Sequence, residues 1–302
     1  MWFKQIRLFQ FNPDSLPESE VLEEKLAQES FVPVAGLDWF SEGFTSPYDF
    51  SAQQIFAAEQ SILICLKKAD KVLPAAVIRD LLAEKVAEIQ ENEHRQIGKK
   101  EKQELKEQLI DTLLPRAFVR SSRVFALLDK KNGLLMVNTA NANKAENLLA
   151  KLREALGGLE AYLPQTQTSP AVLMTQWLKE GVCESSSFEL DDEVELKGQG
   201  DVVSVVKMSK QDLTAEEVAQ HLQSGKYVTQ MGLVWRDRIS FILTEDFALK
   251  RIRFLDILQD ELAQTGEDAE SLAIASQLLF SENLSLLIAE LVHCLDGWLP
   301  RQ

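Results

Sequence analysis

An α+β fold, with mixed sheets and packed helices, is the expectation for this chain of 302 residues. Three observations predict it. Both halves of the sequence mix strand-like and helix-like stretches. Their order lacks the regular strand-helix alternation of a doubly wound sheet. And two helix-like segments in series fall between strand-rich regions, which predicts a projecting helical hairpin.

The first element spans Trp2 to Phe11, where aromatic and long apolar residues interleave with Lys4, Gln5, Arg7 and Gln10. This reads as a half-buried strand ended by Asn12-Pro13. Val21, Leu22 and Leu26 then fall at helical spacing within 18–29, and Pro33 and Gly36 punctuate the chain before extended stretches near 37–44 and 53–67. Pro74 occupies the place of a first-turn proline. Behind it Ile78, Leu81, Leu82, Val86 and Ile89 trace an amphipathic helix to about residue 93. A second helix follows Gly98, with Leu105, Leu109 and Leu113 as its apolar stripe and Pro115 as its stop.

Strands are expected at 124–128 and 134–137, joined through Asn132-Gly133, the strongest short hairpin signal. Leu148, Leu149, Leu152 and Leu156 mark a helix closed by Gly157-Gly158. The Pro, Gln and Thr stretch at 164–170 reads as a linker, and Glu193-Val194-Glu195-Leu196 as a strand with one wet side. Beyond it, a strand at 202–206 leads to a helix whose start carries a capping-box pattern, Thr214 with Glu217, and a staple pair, Leu213 with Val218. Strands at 227–235 and 239–244 flank Trp235-Arg236-Asp237-Arg238, and a final helix carries Leu284, Leu287, Ile288, Leu291, Val292 and Leu295 on one face. The expected units are a central α+β domain of 1–73 plus 123–165, a hairpin tip at 74–122, and a C-terminal α+β domain at 166–302.

Composition narrows the function. With 45% hydrophobic and 26% charged residues the chain is neither fibrous nor disordered. No uninterrupted apolar run approaches the ~20 residues that span a bilayer, and the first residues lack a signal-peptide pattern. Cys65, Cys183 and Cys294 are odd in number and far apart, so a cytoplasmic, reducing location is expected. Nucleotide-binding glycine loops, zinc-protease motifs and nucleophile elbows are absent from the sequence, and His94, His221 and His293 lack ligand-spaced partners. No cofactor, metal or catalytic residue is expected. Asp191, Asp192, Glu193 and Glu195 could supply a metal-dependent nuclease, but a solvated acidic strand is the simpler reading.

The net charge of -15 argues against a polyanionic partner, yet it hides an asymmetry. Residues 60–131 hold fifteen Lys and Arg against eleven Asp and Glu. On the helix after Gly98, Lys99, Lys102 and Lys106 share one face, while Lys100 can pair with Glu104. Arg116, Arg120 and Arg123 surround Phe118 just past the helix end. Arginine forks suit phosphates, and an aromatic among them is a core or a partner contact. No helix-turn-helix or zinc finger offers base readout, so any DNA binding is expected to be phosphate-led, sequence-tolerant and directed at duplex. The competing expectation is an acidic protein-interaction scaffold with a merely solvated basic stripe.

The opening Met1-Trp2-Phe3-Lys4, the run Gly98-Lys99-Lys100-Glu101-Lys102 with Leu105-Lys106, the segment Leu113-Leu114-Pro115-Arg116-Ala117-Phe118 and the loop Lys210-Gln211-Asp212-Leu213-Thr214 resemble, in order and spacing, the RdgC family of recombination-associated proteins. The resemblance runs from end to end. It implies a non-enzymatic, nucleoid-associated protein that forms a ring-shaped homodimer around double-stranded DNA without sequence preference and restrains RecA-promoted recombination and replication-fork repair. By the same resemblance Lys99, Lys100, Lys102, Lys106, Arg116, Lys210 and Gln211 are expected at the DNA, and Phe118 at the subunit interface.

Overall fold

In the computed structural model the described residues are 2–183, 187–198, 204–255 and 268–300. The elements run β1 (Ile6–Phe11), α1 (Ser19–Gln28), β2 (Phe40–Thr45), β3 (Ile55–Ala58), β4 (Ser61–Val72), α2 (Ala75–Glu93), α3 (Lys99–Leu113), β5 (Phe118–Asp129), β6 (Leu134–Val137) and α4 (Ala142–Leu156). There follow β7 (Ala161–Tyr162), α5 (Pro170–Glu180), β8 (Phe188–Lys197), β9 (Val205–Ser209), α6 (Glu216–Gln223), β10 (Tyr227–Trp235), β11 (Ile239–Thr244), β12 (Ala248–Phe254) and α7 (Ala269–Cys294).

The class is α+β, but the expectation of several mixed sheets is corrected. The strands form one sheet in the order β2-β4-β5-β6-β1-β12-β11-β10-β8-β9, with β3 on β4 and β7 on β1. Every pair of these strands is antiparallel. Short turns such as Asp129–Gly133 and Trp235–Arg238 force that sense, since parallel neighbours need a long crossover. Gly133 (φ 62) and the pair Arg236 and Asp237 (φ 50 and 52) supply the left-handed backbone these turns require.

Burial explains the two hydrophobic patterns. One core lies on one side of the sheet, where Leu63, Cys65, Phe125, Met136, Ile6, Leu249, Phe241, Leu233 and Leu196 meet α5, α6 and α7. The other side carries a second core only over the first half, where Phe9, Ile62, Ile64, Leu66, Ala126 and Leu135 meet α1 and α4. The inner stretches of β4 (62–66) and β5 (125–128), with β6, are therefore buried on both faces and read as unbroken apolar runs, whereas the outer half of β5 is exposed and β8 is covered on one face and alternates.

Helix α7 is the one helix among the described residues long and apolar enough, by length and composition, to cross a bilayer, which qualifies the expectation drawn from uninterrupted runs. Polar residues interrupt it, so no pure run exists. Here it covers the first core through Phe280, Leu284, Leu287, Ile288 and Leu291. Its Gln277 amide donates to the carbonyls of Phe56 and Ser61, and Ser285 donates to the buried Asp129 at 2.5 Å. Asp268 caps its start by accepting from the N–H groups of Glu270 and Ser271.

Other boundaries moved for identifiable reasons. Pro74 is the residue before α2 rather than its first. The capping box does not form: α6 starts at Glu216, and Thr214 instead donates its hydroxyl to Asp212 at 2.7 Å, although Leu213 and Val218 are both buried. Of the expected strand at 202–206, residues 202 and 203 lie with 199–201 outside the described set, and the described strand, β9, begins at Val205. The stretch 164–170 is hydrogen-bonded beyond α7, with Gln167 N–H on the Gly297 carbonyl and Thr168 N–H on that of Leu295, both at 3.0 Å.

The halves of the sheet meet where β1 pairs with β12 through Ile6–Leu249 and Arg7–Ala248. An ion pair from Arg7 to Asp246 braces this seam. Burial opposes the Asp246 charge, but the Thr244 hydroxyl and the Arg7 guanidinium outweigh it and hold the carboxyl below its ordinary value of 3.8. A depressed carboxylate contributes stability above its ordinary value and loses it as pH falls through the folded value. Asp246→Asn is therefore expected to lower the Tm at neutral pH, with the gap to the parent closing in acid below that value. Thermal denaturation across a pH series reads this, and a gap independent of pH would contradict it.

Candidate nucleic-acid interface

The chain leaves β4 at Val72, runs out along α2, returns along α3 and re-enters the sheet as β5. The hairpin thus grows from the end of a long ribbon in which Val72 faces Phe118, Asp70 faces Arg120 and Lys67 faces Arg123. Helix α3 has no buried residue, and the buried residues of this region, Ile78, Val86, Ile97 and Leu114, belong to neither main core. A small apolar seam of its own holds the pair together. Polar composition on α3 follows from this, because only one narrow stripe has anything to bury against.

The turn between the helices is braced by charge. Arg95 donates to Glu93 at 2.5 Å and, through two nitrogens, to Glu101 at 2.5 and 2.7 Å. The forked contact holds the Glu101 carboxyl below its ordinary value. His94, at φ 49, ends α2 in the left-handed conformation.

Lys99, Lys102 and Lys106 are exposed on one face of α3, and Lys100 reaches Glu104 at 3.9 Å. Among the described residues no carboxylate pairs with Lys99, Lys102, Lys106 or Arg116. Arg116 lies in a single 3-10 turn, and two residues on Phe118 is 87% exposed at the start of β5. Arg120 and Arg123, read from sequence as following a helix end, instead lie on that strand.

Lys210 and Gln211 lie elsewhere. Lys210 (φ 56) is exposed just after β9, and the Gln211 N–H donates to the Asp192 carbonyl, beside a groove of about 770 Å³ that also includes Cys183 and Asp191. From β5 to β9 the sheet order takes seven strand steps, on the order of 30 Å at ~4.8 Å each. Within one chain the two sets of predicted residues are therefore separate.

The acidic strand is largely occupied. Arg251 binds Glu193 at 2.6 Å and Lys207 binds Glu195 at 2.8 Å. Burial works against ionisation of Glu195, yet Lys207 and the Gln230 amide keep its carboxyl below the ordinary value. Among the described residues no three His, Cys, Asp or Glu side chains come together as metal ligands would. Cys65, wholly buried in β4, has its thiol pushed up to about 12 by burial, so it is no nucleophile at neutral pH.

Arg95→Ala should loosen the hairpin turn without unfolding the sheet. Faster hydrogen exchange over 94–99, with the Glu101 carboxyl returning toward its ordinary value of 4.5 by NMR titration, is the expected outcome. Unchanged exchange would show that the apolar seam alone fixes the turn.

The family model described as "Putative exonuclease, RdgC" matches residues 1–298. A Neisseria meningitidis protein named recombination-associated protein RdgC is 60% identical over 298 residues, covering 99% of each chain. Proteins of the same name from Laribacter hongkongensis and Pseudomonas aeruginosa are 48% and 37% identical, over at least 98% of each chain. With both the family model and these relatives matching nearly its whole length, the chain belongs to the RdgC family of recombination-associated proteins.

Proposed function

We propose that this chain is a duplex DNA-binding protein without sequence preference, acting on the bacterial nucleoid in the cytoplasm as a ring-shaped homodimer that encircles DNA and restrains RecA-dependent recombination. The carrying observation is that Lys99, Lys102 and Lys106 on one face of α3, and Arg116 in the turn beyond it, are exposed without carboxylate partners among the described residues, in a chain of net charge -15. Unpaired like charges repel one another, and a phosphate backbone relieves that cost while releasing counterions. Elsewhere the cations Arg251, Lys207 and Lys197 already hold carboxylates.

The dimer reading rests on Phe118. A nearly bare phenyl ring beside Arg116, with Val72 opposite and Val119 next along, is the composition of an interface core. The remote Lys210–Gln211 corner supplies a second contact or extends the DNA path. Two separated self-contacts are what a closed two-fold ring requires. The relatives' names support the recombination setting.

No chemical step is part of this reading. The family description mentions an exonuclease, which sets a second reading in which Asp191, Asp192, Glu193 and Glu195 hold magnesium or manganese. Incubation of linear and circular DNA with either ion decides: shortening of linear DNA would favour the nuclease, intact DNA the binding protein.

Replacing Lys99, Lys102 and Lys106 by Gln is expected to flatten the slope of log affinity against log salt by up to about 3 for duplex, measured by fluorescence anisotropy on unrelated sequences. An unchanged slope would sink the hairpin assignment and favour the protein-scaffold alternative. Phe118→Ala should shift the dimer toward monomer at micromolar concentration by light scattering, with the fold intact by circular dichroism.

A further inference from the structure

At the free end of the sheet a loop is fastened down with its apolar side chains outward. The buried Lys71 donates its ammonium to the Gly36 carbonyl at 2.5 Å, and its backbone N–H donates to the Trp39 carbonyl at 2.8 Å. On this pinned loop Leu37, Trp39 and Phe40 remain 55%, 46% and 55% exposed. A half-bare tryptophan held by a buried lysine is a displayed group, not leftover surface.

Cations fringe it. Lys67 sits over the Phe31 ring at 4.3 Å; on the other face of β4, Lys68 sits over the Phe40 ring at 4.6 Å and pairs with Asp70 at 3.4 Å. Lys67 also lies directly across from Arg123 on β5, a like-charge pair that an isolated sheet disfavours. The carboxylate nearest Arg123 is Asp49, 3.5 Å away and 93% exposed, a weak and exchangeable partner. Lys67 alternates with Leu63 and Cys65, and Arg123 with Phe125, which places both on the side of the sheet that carries the first core. Trp39 immediately precedes β2, its carbonyl accepting from the Lys71 N–H, four residues or about 13 Å along from Lys67.

We infer that this shelf binds an unpaired stretch of nucleic acid, with a base stacked on Trp39 and flanking phosphates on Lys67 and Arg123. In a duplex the base faces are already stacked, so an exposed indole discriminates in favour of the unpaired strand. The opposed cations at Lys67 and Arg123 argue for a phosphate chain over an apolar protein partner. The inference rests on the reading that the chain binds DNA and extends it from the hairpin along β5, to the place where a single strand emerges beside a duplex.

The test uses the full chain with two fluorescent probes, an oligothymidylate and a duplex of mixed sequence. Trp39→Ala is expected to weaken oligothymidylate binding about tenfold while duplex affinity and Tm stay near the parent's, and Trp39→Phe restores most of the loss. The double variant Lys67→Gln with Arg123→Gln should lower the salt slope for oligothymidylate by about 1.4. If the parent binds duplex and Trp39→Ala leaves oligothymidylate affinity unchanged, the shelf is overturned alone, as it would be for a site that serves a protein. Trp39-dependent binding of oligothymidylate without duplex binding would overturn the duplex reading and leave the shelf standing; binding of neither probe would remove both.

Discussion

Six residues of β1 make the sheet continuous. The strand pairs with β6 along one edge and, along the other, with β12 through Ile6 and Arg7 and with β7 through Gln10 and Phe11. The register is short there, and Ile252 N–H on the Lys4 carbonyl extends it while the Arg7–Asp246 ion pair ties the β11–β12 turn to the seam. Cooperative sheet structure across this seam sets the separation between the hairpin end and the β9 end. A contact at each end can act on one partner only if that separation is held, so the placement of the proposed functional groups depends on a strand that carries none of them.

Helix α7 does for the covered face what β1 does for the sheet. It comes from the far end of the chain and packs on both halves, burying Phe280 against Trp2 and Phe3 and sending Glu290 to the Trp235 indole and to Arg236. Its buried Gln277 donates through the amide N–H groups to the β3–β4 turn, while the amide oxygen has no hydrogen-bond partner among the described residues. Unmatched polar groups in a core cost free energy, so such contacts fix the docking of a helix that apolar contacts alone leave free to slide. The inner part of the first half of the sheet is covered on both sides and forms the base from which the β4–β5 ribbon and the hairpin extend. Over the second half the uncovered side is wet, and there Glu193 and Glu195 meet Arg251 and Lys207.

Charge is organised rather than averaged. Acidic side chains dominate the composition, but Lys99, Lys102 and Lys106 on α3, with Arg116 beyond it, are left without carboxylate partners among the described residues and lie outside both main cores. On α3 itself four lysines are matched in number by Glu101, Glu104, Glu107 and Asp111, so the lysine face is a property of one side of the helix and not of the whole hairpin. The shelf at Trp39 belongs to the same end by a different route, since Lys67, Arg123 and the 31–40 loop come together only through the pairing of β2, β4 and β5.

The sequence by itself determined the class, most of the helices and the hairpin, because their signals are local: helical spacing from Ile78 to Ile89, Gly98 and Pro115 as punctuation, Asn132-Gly133 as a turn. It also marked α5, since Ser169-Pro170 and Gly181 are a helix start and stop, but the polar stretch before them masked it. Strand β12 stayed hidden because Arg251 adopts φ 49 and a register shift against β11 spaces Leu249, Ile252 and Phe254 unevenly. The lysine face of α3 and the Arg116–Phe118 segment were legible as residues, and so were Lys210 and Gln211. Tertiary structure alone decided that the strands form one antiparallel sheet, that those two groups lie at its opposite ends, and that Trp39 falls at the same end of the sheet as Lys67 and Arg123. Strand order and register are set by contacts between residues far apart in the chain, and no local periodicity encodes them.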